Sequence, residues 1–297
     1  DPELMSNGRV APIYRIPDIA ELDALRARMP PPEVLSSLLP YEQACKKPHF
    51  DELLARVCVD MPHRMIESED GDEVLGRQRW YECVRWRQEN HIDTLLMTPY
   101  PLFEQVRVLC GHYFHKHARF GHFIYIDRPG KMKMKELRKL GVDDNAMQRH
   151  FLHNCEYQWA ALDSTPSAKV LSILDMSGLG FMDMMGGSTM AFVKRISKIL
   201  QQHYPVRSFK IVVVNAPSWF NSLWKMISPM LHERTRAKTI VCGSDVAQMR
   251  ETLLPLIDPA NLPVEYGGTC QCVGGCTNNE LERGYWDFVR MVNQQKR

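Results

Sequence analysis

The chain has 297 residues, of which 44% are hydrophobic and 24% charged, and its 37 basic and 35 acidic side chains leave a net charge of +2. This is the composition of a soluble globular protein: it excludes wholesale disorder and supplies no global field for nucleic acid, so an electrostatic partner must be met by a local patch. The longest purely aliphatic stretch, Ile211–Val214, falls far short of the ~20 residues that span a bilayer, and nine cysteines are too few for a disulfide scaffold.

The opening DPELMSNGRV has no secretory apolar run, and Asp1–Leu4, ahead of Met5, reads as a cloning scar. Together with reduced thiols, this predicts a cytoplasmic protein. Residues 5–70 are punctuated by proline and carry short helical candidates, Asp18–Met29 and Phe50–Val59, which are expected to drape over the rest. Residues 71–113 form a helical lobe whose main helix is expected over Asp72–Asn90, with Val74, Leu75, Trp80, Val84 and Trp86 on its apolar face.

From Phe120 the pattern changes. Phe123–Ile126 reads as a strand leaving through the turn Asp127-Arg128-Pro129-Gly130, followed by a helix over Asp143–Leu162. Next come a strand Lys169–Leu174, a glycine-flanked loop, a helix Asp183–His203, a strand Phe209–Asn215, a helix Trp219–Leu231, a strand Thr239–Cys242 and a helix Asp245–Leu254. Alternating strands and helices predict an α/β fold with a mostly parallel sheet. KIVVVN and TIVCG are apolar nearly throughout, as strands covered on both faces would be. A last helix, Glu280–Val292, lies in residues 277–297.

Catalytic constellations are hard to find. Gly178-Leu179-Gly180 follows a strand, but the dinucleotide fingerprint needs a third glycine where Asp183 stands, and no Gly-Lys-Ser/Thr follows. There is no Gly-x-Ser-x-Gly elbow, and His112, His115 and His117 lack HExxH spacing. Cys270, Cys272 and Cys276 offer three thiols, but C-x-C-x3-C is not a usual zinc knuckle and no fourth ligand lies beside it. The expectation is therefore no enzyme, no metal and no cofactor. The composition departs from the ordinary in its 17 methionines, of which Met176, Met182, Met184, Met185, Met190 and Met226 crowd one region. Such residues pack a core or line an adaptable apolar surface.

The runs FGHFIYIDRPGKM, EYQW, VLSILDMSGLG, HYPVRSFKIVVVNAPSWFNSLWKMISPML and NLPVEYGGTCQCVGGC, in that order, resemble the CRAL-TRIO lipid-binding family of phosphatidylinositol/phosphatidylcholine transfer proteins and of tocopherol and retinal carriers. The resemblance covers residues 114–276. It implies a sheet floor with a helical wall around a hydrophobic pocket, covered by a mobile gate helix over Ser218–Leu231. The residue pattern agrees in kind: Trp219, Phe220, Leu223, Trp224, Ile227 and Leu231 make that segment apolar over more than the stripe a surface helix needs. The gate tryptophans with Lys225, and Arg234, Arg236 and Lys238 after it, are expected to dock transiently on a membrane, anionic lipid favouring the contact by ~1 kcal/mol per basic residue. A second basic run, Lys131 to Lys139, could do the same.

The resemblance places the lipid, the only ligand expected, against Phe114, Tyr125, Tyr157, Val170, Ser172, Leu174 and Met190. Each buried CH2 contributes ~0.8 kcal/mol, so a C16 chain is worth roughly 12 kcal/mol and apolar lining dominates affinity. In the family, phosphatidylinositol is held partly by a glutamate and a lysine; those positions carry Arg195 and Ser228 here. Of the choline-site positions, Tyr125, Tyr157 and Ser172 agree, whereas Phe114 and Val170 replace a tyrosine and a serine. A phosphatidylcholine-like ligand and a sterol- or isoprenoid-like one both stay open. The expected function is lipid binding and transfer. The alternative is a lipid-sensing scaffold whose proline-rich N-terminal segment binds a signalling protein.

Overall fold

The computed structural model describes residues 38–185 and 187–295. The segment Asp18–Met29 and most of the proline-rich opening lie outside these residues.

Helix α1 (Phe50–Val57) and short turns at Tyr41–Ala44 and Arg64–Glu67 pack on α2 (Glu73–Glu89). Their common core is Phe50, Val57, Tyr81 and Val84, with Trp80 at its margin. Asp72 starts α2 where the sequence places it, accepting hydrogen bonds from the Val74 and Leu75 amides at 2.9 and 3.0 Å. Helix α3 (Phe103–Cys110) leads through Gly111 into the sheet.

Five strands form that sheet in the order β1 (Tyr113–His117), β2 (Phe123–Asp127), β3 (Val170–Asp175), β4 (Ser208–Val214) and β5 (Thr239–Val241). β1 runs antiparallel to β2 and the others are parallel. The connections are α4 (Met134–Lys139) with α5 (Asp144–Tyr157), α6 (Phe181–Met185) with α7 (Gly187–His203), and α8 (Phe220–Ile227) with α9 (Glu233–Ala237). Each connection steps one place along the sheet in the same direction. Right-handed crossovers therefore put these helices on one face.

The strand period sorts the residues accordingly. Ile124, Ile126, Leu171, Ile173, Val212 and Val214 point to the opposite face, where α10 (Val246–Leu253) and the segment to Tyr266 bury them with Met249, Leu253, Ile257 and Leu262. Phe114, Phe123, Tyr125, Val170, Ser172, Leu174, Ile211 and Val213 share the crossover face. Helix α11 (Glu280–Gln294) also lies on this face, bringing Leu281, Tyr285 and Phe288 onto Phe114 and Phe123. Its cap, Asn279, accepts from the Leu281 amide at 2.9 Å and donates to the Phe114 carbonyl at 2.6 Å.

Three expectations are corrected. β1 adds an antiparallel edge that the histidines of YFHKH disguise, with a bulge between His115 and His117. β5 is not covered on both faces: it is a three-residue edge strand, and Val241 is exposed. The expected helix Trp219–Leu231 stops at Ile227, because Pro229 cannot continue it and Ser228–Met230 tightens into a 3-10 turn.

Candidate functional site

The floor of the site is the crossover face of the sheet. On β3 the inward-facing Leu171, Ile173 and Asp175 are buried, while Val170, Ser172 and Leu174 on the other side retain solvent exposure. β3 is the middle strand. A central strand covered by helices on both sides would be buried throughout, so the half-exposure marks an opening above β3.

On one side of this opening the floor is aromatic. Phe114 lies 5.5 Å from Tyr125 and 6.0 Å from Tyr157, between ring centroids. Tyr157 stacks on Tyr285 of α11 at 3.9 Å. The Tyr125 hydroxyl is hydrogen-bonded to His112 Nδ1 at 2.5 Å, His112 Nε2 to His150 Nε2 at 2.9 Å, and His150 Nδ1 to the Tyr100 hydroxyl at 3.1 Å. Burial, reinforced by the Arg107 charge, pushes the pKa values of His112 and His150 well below the usual imidazole value. Burial holds the Tyr125 phenol protonated, its pKa well above the usual value.

On the other side the floor is aliphatic and methionine-rich. Phe220 and Leu223 of α8 are buried against Val213, Met176 and Met184, with Leu174, Met190, Trp219, Trp224 and Ile227 at the margins. The opposite side of α8 faces water through Lys225 and Met226. The helix is thus amphipathic rather than apolar all round.

Both ends of α8 are fastened by polar contacts. Asn215, at φ +53°, donates to Asp175 Oδ1 at 2.8 Å, and Tyr266 donates to Asp175 Oδ2 at 3.0 Å. Beyond the helix, Gln201 of α7 accepts from the His232 amide at 2.9 Å and donates to the Met230 carbonyl at 3.3 Å.

The CRAL/TRIO domain matches residues 111–268, more than half of the chain and all five strands of this sheet. The chain belongs to the CRAL/TRIO domain family. It is similar to the Sec14 cytosolic factor of Schizosaccharomyces pombe, 29% identical over 227 residues that cover 73% of this chain and 76% of that one. It is also similar to the phosphatidylinositol/phosphatidylcholine transfer protein SFH9 of Arabidopsis thaliana, 28% identical over 235 residues, 75% of this chain but 39% of the relative. The chain therefore spans only about two fifths of that second relative. The crystal structure of Sfh5 has the same fold, with a TM-score of 0.57 at 17% identity over 92% of this chain and 96% of the other.

Within this CRAL/TRIO domain the expected lipid residues divide. Phe114, Tyr125 and Tyr157 form the aromatic side, Leu174 and Met190 the methionine side, and Val170 and Ser172 lie on the half-exposed strand between them. Arg195 and Ser228 have separate partners. Arg195 donates to the Asp144 carbonyl at 2.7 Å, at the start of α5, whereas the Ser228 carbonyl lies 3.5 Å from Arg236 Nη1.

The expected docking residues lie as follows. Trp219 and Trp224 are half-covered: Trp219 meets Phe181 edge-on at 5.7 Å and Trp224 stacks near Phe220 at 6.3 Å. Arg234 is paired with the Asp70 carboxylate and donates to the Glu67 carbonyl at 2.5 Å, fastening α9 to the N-terminal lobe. Lys238 reaches the Ser208 carbonyl at 3.4 Å. The large apolar groups that reach water in the segments after β2, β3 and β4 include Met182, 79% exposed, with Phe181, Met226 and Met134.

These four follow the carboxyl ends of β2, β3 and β4. The loops at that end are closely fitted, since a Cβ on Gly130 would lie 2.2 Å from the Ser177 carbonyl oxygen. Phe181 and Met182 carried a sequence signal in FMDMM: two adjacent large apolar residues straight after the glycine-flanked Gly178-Leu179-Gly180 loop.

A separate cavity of about 310 Å³ lies between the helical lobe and α5. Arg64, Arg87, Asp93, Glu156 and Tyr204 line it, and Arg87 holds Glu156 through two hydrogen bonds at 3.0 and 2.8 Å. Its charge makes it a poor acyl chamber. Among the described residues no helix is long and apolar enough to cross a membrane.

Proposed function

We propose that this chain binds one membrane phospholipid on the crossover face of its sheet and exchanges it with membranes as α8 moves. The observation that carries the reading is the one-sided exposure of β3 beneath α8. The names of the relatives, transfer proteins for phosphatidylinositol and phosphatidylcholine, support the phospholipid class. The acyl chains would lie over Val170, Leu174 and Met190, and Ser172 would be the polar contact on the floor. The lipid is cargo, and no covalent step is involved. The protein would work in the cytoplasm with transient membrane contact.

The test is lipid extraction and native mass spectrometry of the purified chain, together with transfer of labelled phosphatidylcholine and phosphatidylinositol between vesicles. One bound lipid per chain and protein-dependent transfer are expected. An empty chain that moves neither lipid would end the reading.

Docking would use the exposed tip rather than the half-covered tryptophans. Full burial of one large apolar side chain is worth ~1.5–3 kcal/mol, and each 1.4 kcal/mol is tenfold in affinity. The double change Phe181→Ser, Met182→Ser is therefore expected to weaken vesicle binding by about tenfold or more with only a small fall in melting temperature, because Met182 faces water and Phe181, 43% exposed, loses one edge contact with Trp219. Co-sedimentation with liposomes measures it, and unchanged binding would remove α6 from the docking face.

A further inference from the structure

We propose that Cys270, Cys272, Cys276 and His115 form a structural zinc site that clips the C-terminal segment to the edge of the sheet. The local sequence offers three thiols without a fourth donor; the fold supplies the fourth from β1. One ligand atom from each of the four residues lies within 4.8 Å of all the others. A tetrahedral ion with Zn–S bonds near ~2.3 Å needs neighbouring donors roughly 3.8 Å apart, so the cluster requires only small inward shifts. Cys270 Sγ and Cys272 Sγ are 3.5 Å apart, and all three thiols are free of disulfides.

His115 is the independent pointer. Its side chain has no solvent exposure, and neither ring nitrogen has a partner at hydrogen-bond geometry. An imidazole that finds no partner in the interior is costly unless something binds it. The polar main chain acting on the ring is that of Asn261, which would orient the imidazole from behind as outer-shell groups orient metal-bound histidines.

The loop is already bent for the task. Gly274 and Gly275 have φ of +82° and +88°, a conformation that glycine adopts without strain. The Gly275 amide donates to the Cys272 carbonyl at 2.8 Å, and the Cys270 amide to the Leu262 carbonyl at 2.9 Å.

The donor chemistry selects the ion. Three thiolates and one imidazole in a tetrahedron are a closed structural zinc set, with no position left for substrate. On binding, the three thiols would release their protons to solvent and the histidine would bind as the neutral ring. The strand period separates the site from the lipid floor: His115 points to the face shared with Tyr113, and Phe114 to the other. The role is mechanical. Cys276 lies three residues before Asn279, the cap of α11 that also holds the Phe114 carbonyl. The ion would thus fix α11, the cover of the aromatic floor, to β1.

The test uses the full chain, purified under reducing conditions without chelator. Elemental analysis is expected to give one zinc per chain in the wild type and a loss of that zinc in Cys272→Ser and in His115→Ala. Because either variant could misfold, the wild type is also stripped with a chelator and titrated with Co2+. A 1:1 end point with tetrahedral visible bands and thiolate-to-cobalt charge transfer is expected, with a lower melting temperature for the stripped chain. Wild-type zinc no higher than in Cys272→Ser, cobalt that stays octahedral, or a disulfide among the three cysteines by non-reducing mass spectrometry would each overturn the site.

Discussion

Glu282→Ala should cost about 3–5 kcal/mol of stability, the magnitude expected when one partner of a buried ion pair is removed. Glu282 and Arg107 are each 2% exposed. Arg107 donates to the two carboxylate oxygens at 3.0 and 2.6 Å and to Asn154 Oδ1 at 2.6 Å, and its guanidinium lies 5.0 Å from the Phe114 ring and 5.1 Å from that of Tyr285. Burial by itself would lower the arginine pKa; the Glu282 charge and hydrogen bonds outweigh it, and the net shift is upward. Glu282 Oε1 also accepts from the Phe114 amide at 2.6 Å. Truncation would leave a buried cation and a strand amide without their acceptor at the seam between α11 and β1. Denaturant unfolding of the wild type and E282A checks this, and the double change Arg107→Met, Glu282→Leu should recover much of the loss, since a matched apolar pair is no worse than a buried ion pair. A loss below about 1 kcal/mol in E282A would mean that water reaches the pair.

The legible parts of this fold were those where a local rule and the tertiary fold agree. β2, β3 and β4 are apolar runs bounded by turns, and α2, α5, α10 and α11 begin at Asp72, Asp143, Asp245 and Asn279, whose side chains cap them as their types predict. The segment Trp219–Leu231 was legible as apolar. Its orientation was not, because only the sheet decides that Phe220 and Leu223 face in and Met226 faces out. Arg107, Glu282 and the histidines of YFHKH and DDNAMQRHFLHN carry no local mark of burial, since nothing local distinguishes a solvated charge from one whose partner lies far along the chain. The methionine cluster likewise divides by fold alone: Met176 and Met184 are buried, whereas Met182 and Met226 face water. The thiols of CQCVGGC were visible, but the histidine that completes their set sits on the one strand that the sequence concealed.

Buried histidines make stability fall with acid. His112, His150 and His153 are 8%, 1% and 2% exposed. Burial first, and the Arg107 charge second, lower all three, His153 to about 3. The sign follows from proton counting. Below the unfolded value near ~6.5 the unfolded chain binds a proton at each histidine that the folded chain refuses, so stability is present above that pH and is lost as pH falls towards the folded value. Between pH 6.5 and 5.5 the loss is about 1 kcal/mol per histidine, so roughly 3 kcal/mol for the three.

Asp127 opposes part of this: burial pushes its carboxyl up to about 6, so the folded chain takes up a proton there over the same interval, which offsets somewhat under ~1 kcal/mol. These four groups alone give a net loss of about 2 kcal/mol; His115, His117 and His203, which burial lowers to about 4, add about 1 kcal/mol each, so the whole loss is about 5 kcal/mol and the fall in melting temperature roughly 10–20 °C. Melts at pH 7.5, 6.5 and 5.5 should therefore show a shallow step followed by a steep one. His153→Gln, which removes one titrating ring next to the Tyr285 hydroxyl, should flatten the steep step by about a sixth of the histidine contribution, whatever its own cost at pH 7.5. Stability that held level or rose between pH 6.5 and 5.5 would mean that the three rings take up protons inside the fold, and the buried network joining α3, α5 and α11 would then have to be open to water.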